Sequence, residues 1–128
     1  MEQVQGIGGV FLRARDKQAS LEWYQKNLGI PVESWGGTVF SWQTKETPPA
    51  PGTTSWSLFD QDSDYLGPRD KACMVNYRVE NLDRMLEQLR AAGVTVDDKI
   101  DESEFGRFGW AEDPDGNRIE LWEPPDGM

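Results

Sequence analysis

A chain of 128 residues, 37% hydrophobic and with six tryptophans, can fill the core of one compact domain. Its net charge of -10 excludes the basic surface that nucleic-acid binding needs, and no apolar run approaches the length of a membrane span. With no histidine and a single cysteine, a Ser-His-Asp triad and an internal disulfide are excluded too.

The first residues lack a positive segment followed by an apolar run, so no signal peptide is expected. Together with the lone Cys73, this predicts a reducing, cytoplasmic location. Cys73 lies in an apolar run and is expected in the core.

In chain order, residues 10–16 read as a strand running into a helix cap. A helix follows over 17–27, with Leu21, Tyr24 and Leu28 at helical spacing, and Gly29 is placed to end it. Residues 30–32 resume as a strand. Strands are predicted over 38–43 and 54–59, with a loop over 47–52 between them. Residues 61–71 are a polar, acidic connector. The second half opens with a strand over 74–79 and a cap at Asn81. Leu82, Met85, Leu86 and Leu89 then form a clean helical stripe, and Gly93 stops it. Strands at 94–96, 108–112 and 118–122 follow, with an acidic loop over 97–106 that could lie across a cup mouth.

Each half thus reads strand, helix, strand, strand, strand. One such unit leaves a sheet face bare and is too small to be stable alone. The expected fold is α+β: a single domain, 1–128, of two βαβββ units at about 6–60 and 72–124. Together they curve into a half-barrel cup with the helices outside.

The most informative segment is Asp113-Pro114-Asp115-Gly116-Asn117-Arg118-Ile119-Glu120-Leu121-Trp122-Glu123-Pro124. Its first half is turn chemistry. Its second half alternates, with Ile119 and Leu121 on one face and Arg118, Glu120 and Trp122 on the other. A tight hairpin would set Trp110 opposite Glu120 and Phe108 opposite Trp122, which places a carboxylate among aromatic faces. Such a site suits a cationic or planar ligand, and apolar surroundings would favour the protonated acid. Alternatively, Glu120 pairs with Arg78 or Arg118 and only organises the sheet.

Trp42, Trp56, Trp110 and Trp122 lie on predicted strands, and some of them should line the cup. Trp23 is expected in the core, and Trp35 at the surface or a subunit contact. Arg107 falls at a loop–strand junction near the cup rim. Gly6-Ile7-Gly8-Gly9 precedes a strand instead of opening a helix, so it is not a phosphate loop. Residues 60–64 lack the glycine and closing glutamate of a calcium loop.

Four segments carry a family resemblance: Ile7-Gly8-Gly9-Val10, the Trp23-Tyr24 pair before Leu28-Gly29, Tyr77-Arg78-Val79 leading to Leu82-Asp83, and the segment from Asp113 to Pro124. The chain resembles the vicinal oxygen chelate superfamily, which includes glyoxalase I, extradiol dioxygenases and bleomycin-resistance proteins, and looks like small bacterial glyoxalase-like proteins. The resemblance implies paired βαβββ units and metal ligands projecting into the cup. It maps those ligand positions onto Gly9, Met74 and Glu120, with an uncertain fourth near Thr54 to Ser57. Glycine has no side chain to bind an ion, and a thioether suits soft metals. Neither a metal nor another cofactor is therefore expected. Arg78 shares parity with Met74 and Asn76, which the resemblance places on the cup side.

Three functions follow as expectations. The first is a protein binding a small aromatic or cationic ligand through Glu120, Trp110, Trp56, Trp42, Phe108, Trp122, Arg78 and Asn76. The second is a glyoxalase-like lyase or isomerase, with Glu120 as base and Arg78 or Asn76 stabilising an enolate. The third is an interaction domain whose cup is packed solid. A homodimer is expected, with a small molecule as partner and neither nucleic acid nor membrane.

Overall fold

The computed structural model describes residues 1–42 and 52–128. Its elements are β1 (Val4–Ala14), α1 (Lys17–Leu28), β2 (Gly37–Ser41), β3 (Thr53–Asp60), β4 (Cys73–Val79), α2 (Leu82–Ala91), β5 (Asp101–Ser103), β6 (Gly106–Glu112) and β7 (Arg118–Glu123). The strands form one mixed sheet in the order β2-β3-β1-β4-β7-β6-β5. The two units meet at its centre, where β1 runs antiparallel to β4. Within each unit the first strand runs parallel to the last, β1 with β3 and β4 with β7. The expected α+β half-barrel of two related units is what the chain forms.

The caps explain where the helices start and stop. Asp16 accepts a hydrogen bond from Ala19 N and Asn81 one from Arg84 N, satisfying amides that have no partner inside the helix. Gly29 ends α1 in the left-handed conformation, φ 67. The α2 stripe packs Leu82, Met85 and Leu86 on Val79 and Leu121. Gly109 lies beneath, where an added Cβ would stand 3.1 Å from Leu86 Cδ1, so the missing side chain is what lets the helix approach. On the first unit Leu21 joins Ala14 and Leu58, with Leu12, Tyr24, Val32 and Trp56 packed around them. Trp23 is not core. It is 54% exposed, because only Leu21 of α1 is fully buried and the helix rests lightly on the sheet.

Two predicted strands shrink. Residues 30–32 form no strand: Val32 N bonds Ile30 O at 2.8 Å, a tight turn around Pro31, which has no N–H for a ladder. Residues 94–96 keep one bridge, Val96 with Ala111. The acidic loop, by contrast, contains β5, an edge strand on β6. Cys73 is exposed, since it opens its strand and does not sit in the middle. The loop expected over 47–52, apart from Gly52, and the end of the 38–43 strand lie outside the described residues.

The other sheet face forms the cup. Leu66, Met74 and Trp110 are buried there, with Phe11, Phe59 and Phe108 against them. Leu66 comes from the connector at 61–71, which folds into the cup. No described helix is long and apolar enough to cross a membrane.

Candidate functional site

The register builds the site. Trp110 pairs with Glu120 and Phe108 with Trp122 across β6 and β7, as the hairpin chemistry predicts. That hairpin is held by Asp113, whose carboxylate accepts from the amides of Asp115 and Asn117 and from the Asn117 side chain, each at 2.9 Å. Asn76 is the neighbour of Glu120 across β4 and β7. Gly9 is the neighbour of Asn76 on β1, and Ser55 the neighbour of Gly9 on β3. A row Glu120–Asn76–Gly9–Ser55 therefore crosses the cup floor.

Glu120 is 1% exposed. Its Oε1 accepts a hydrogen bond from Tyr65 Oη at 2.8 Å, while Oε2 has no hydrogen-bond partner among the described residues. Burial pushes its pKa up to about 7, against the opposing effects of the Tyr65 hydroxyl, the Arg118 charge and the Asn76 amide. Burial and the facing carboxylate in turn push the Tyr65 phenol well above its ordinary value. Asn76 Oδ1 and Trp110 Nε1 are also buried without partners among the described residues. Among the described residues two acceptors and one donor thus stand unsatisfied on Glu120 and its two strand neighbours, where most buried polar atoms would be paired.

Aromatic rings surround this centre. Tyr65 stacks on Phe59, centroids 5.5 Å apart and planes 3° apart. It meets Trp110 edge-on at 6.2 Å. Arg118 lies over the other side of this cluster, 4.8 Å above the Trp110 ring, a cation–π distance. A shallow groove of about 280 Å³ runs beside it, lined by Gly67, Pro68, Val96, Asp97, Trp110 and Arg118 among others.

The candidate residues divide into three places. Glu120, Asn76 and Trp110 meet at the cup centre. Arg78, Trp42, Trp122 and Phe108 form a second cluster: the Arg78 guanidinium lies 5.8 Å from both the Trp42 and the Trp122 rings, and Trp122 stacks on Phe108 at 6.2 Å. Arg78 also bonds Met128 O and Gln5 Oε1, so its partners are not Glu120. Trp56 is in neither. It packs on the helix side against Tyr24 at 4.9 Å, because it shares parity with Leu58. Arg107 likewise faces α2, bridging Asp83 and Glu102 at 3.0 Å.

The partner of Glu120 is neither Arg78 nor Arg118 but Tyr65, which sequence reasoning passed over as part of a polar connector. The signal was there: Tyr65-Leu66 is an apolar pair inside a polar run. Arg13, on the cup side of β1, holds that connector in place. It donates to the carbonyls of Lys71, Gln61, Ser63, Gly67 and Pro68 at 2.6–3.3 Å.

The sequence model of the Glyoxalase/Bleomycin resistance protein/Dioxygenase superfamily matches residues 6–121. The chain belongs to this superfamily. Solved structures carry the same fold at low identity. Methylmalonyl-CoA epimerase from Mycobacterium tuberculosis superposes with a TM-score of 0.64 at 22% identity, covering 95% of this chain and 89% of that one. The Streptomyces coelicolor methylmalonyl-CoA epimerase with 2-nitronate-propionyl-CoA gives 0.70 at 18%, covering 98% and 99%. A glyoxalase/bleomycin resistance protein/dioxygenase superfamily member from Vibrio splendidus 12B01 gives 0.52 at 11%, covering 94% and 97%. At such identities the likeness is one of fold. No curated protein sequence matches the chain.

The resemblance assigns the superfamily ligand positions to Gly9, Met74 and Glu120; in the register Glu120 pairs with Asn76 and Asn76 with Gly9, while Met74 pairs with Phe11. Met74 is buried in the apolar cluster with Leu66 and Trp110. Among the described residues no group of three or more His, Cys, Asp or Glu could hold a metal ion.

Proposed function

We propose that this member of the superfamily binds a small molecule in its cup, with Glu120 as the polar anchor and without a divalent metal. The observation that carries the reading is the buried Glu120 carboxyl, whose Oε2 has no hydrogen-bond partner among the described residues, with Asn76 Oδ1 and Trp110 Nε1 of its two strand neighbours equally unpartnered there. Each such atom costs roughly 1–3 kcal/mol when left unpaired, and a bound group bearing donors and an acceptor recovers that cost. The rings of Phe59, Trp110 and Phe11 suit a planar body. A cationic ligand would draw the proton off Glu120 as it binds. The donor set argues against a divalent ion, since one carboxylate with a thioether and a glycine falls short of the three or four ligands such ions take. A cup packed solely as core would not retain three unpaired polar atoms.

The test is a ligand screen by tryptophan fluorescence on untagged protein and on Glu120→Gln. Binding that Glu120→Gln weakens at least tenfold is expected, and binding untouched by the substitution refutes the anchor. Metal content measured after exposure to Zn, Mn, Ni and Fe is expected to be negligible; one tightly held ion per chain refutes the metal-free reading.

A second reading is favoured by one observation, the burial of the Glu120 carboxyl at 1% exposure, which raises its pKa to about 7, beside the Tyr65 hydroxyl. A carboxyl poised there suits proton abstraction beside a carbonyl, in a lyase or isomerase. The oxyanion would then fall to the Tyr65 hydroxyl and the Asn76 amide, since Arg78 is engaged elsewhere. Exchange of a substrate α-proton in D2O, abolished in Glu120→Gln, is its expected signature. Exchange at the same rate in the variant refutes it.

A further inference from the structure

We infer that Tyr65 is a built-in occupant of the cup: its phenol ring takes the place of a small hydroxy- or amino-aromatic ligand, and the connector carrying it is a strap that lifts to admit one. The inference deepens the ligand-binding reading of Glu120 and rests on it.

Tyr65 is received as a ligand would be. Its ring lies flat on Phe59 at 5.5 Å, meets Trp110 edge-on at 6.2 Å and tilts against Phe11 at 6.5 Å. Its hydroxyl donates to Glu120 at 2.8 Å. Ring faces and a terminal acceptor thus recognise a phenol. Tyr65 belongs to no strand, however, and 37% of its surface faces solvent. It also leaves Glu120 Oε2, Asn76 Oδ1 and Trp110 Nε1 without partners among the described residues. A free ligand with a second polar group can satisfy more of these atoms than the tethered phenol does, and that difference drives the exchange.

The strap is built to move as a piece. Its internal bonds are turns, from Ser63 N to Asp60 O, Gly67 N to Asp64 O and Lys71 N to Pro68 O. It gives the sheet no ladder: it is held by the buried Leu66, by the Tyr65 hydroxyl and by the Arg13 guanidinium on five carbonyls. Gly67, at φ 86, lies just beyond the Tyr65-Leu66 pair.

The probe is 4-methylphenol, the tyrosine side chain cut from its backbone. Titration calorimetry is expected to show at least tenfold tighter binding to Tyr65→Gly than to the wild type, and loss of that gain when Glu120→Gln is added. Arg13→Gln, which loosens the strap and leaves the ring's seat intact, is the second variant, expected to bind the probe at least fivefold more tightly. Folding of each variant is checked by its thermal transition. A folded Tyr65→Gly, or a folded Arg13→Gln, that binds no tighter than the wild type overturns the inference. If wild-type binding of some compound still depends on Glu120, that result sinks the strap alone. If no compound binds any form in a Glu120-dependent way, the functional reading falls with it.

Discussion

Replacing Glu120 by glutamine tests the electrostatics of the cup. Burial moves this carboxyl from 4.5 to about 7, so the folded chain holds its proton more tightly than the unfolded chain does. Below the lower value both states are protonated and the stabilisation is fully present. Between the two the unfolded chain ionises first, and stability falls as pH rises. Above the upper value the loss is complete. At about 1.4 kcal/mol per pH unit, the whole window from 4.5 to about 7 amounts to about 3.5 kcal/mol. Glutamine has no proton to release, and its amide oxygen can still accept from Tyr65. Urea unfolding, followed by tryptophan fluorescence at several pH values across the window, gives the free energy of each protein. The variant is expected to gain about 3.5 kcal/mol on the wild type from the acid to the alkaline end. Asp83 and Asp113, held low by Arg107 and by Asn117, act in the opposite sense. They are present in both proteins and cancel. Parallel curves would refute the reasoning, because they would mean that Glu120 is ionised at no cost and water reaches it.

Three further outcomes follow from the packing. Arg13→Ala removes a guanidinium bonded to five carbonyls; a loss of roughly 2–4 kcal/mol, with faster hydrogen exchange confined to residues 61–71, is expected by mass spectrometry. Gly8→Ala puts a Cβ into Asn76 Oδ1 and 2.8 Å from Trp122; it should cost roughly 1–3 kcal/mol and weaken any ligand that uses Asn76, as denaturation and titration will show. Leu86→Ala empties the fully buried centre of the α2 contact and should cost roughly 2–5 kcal/mol by urea unfolding, leaving the Glu120 titration unchanged.

The fold was legible because its signals are local. Caps at Asp16 and Asn81, the αL glycine at 29, the α2 stripe and the Asp113–Asn117 turn each act over a few residues, and each formed as read. The pairing of Trp110 with Glu120 followed from hairpin length alone. What was not legible depends on parity and on distant partners. Trp56 reads as a cup residue until its register with Val10 and Thr38 puts it on the helix side. Trp23 has the chemistry of a core residue, but α1 does not press its flank against anything. Tyr65 lies 55 residues from Glu120, and the apolar Tyr65-Leu66 pair, the one local sign that the connector packs against the protein, does not say on which strand it lands.

The departures from ordinary packing gather in one place. On the helix side of the sheet Leu82, Leu86, Val79 and Leu121 make an apolar core. On the cup side a carboxyl is buried at 1% exposure, with an amide oxygen and an indole N–H of its strand neighbours unpaired among the described residues. Gly8 in the central strand leaves the space that Asn76 fills. If stability alone set this cup, apolar side chains of similar volume would serve better, since unpaired buried polar groups cost free energy and well-packed hydrophobes do not. Concentrated violations of this kind are the mark of a site where stability has yielded to chemistry. On the ligand-binding reading proposed above, a phenol brought in from the connector and hydrogen-bonded to Glu120 is what a sheet face shaped to receive a group from outside would be expected to hold.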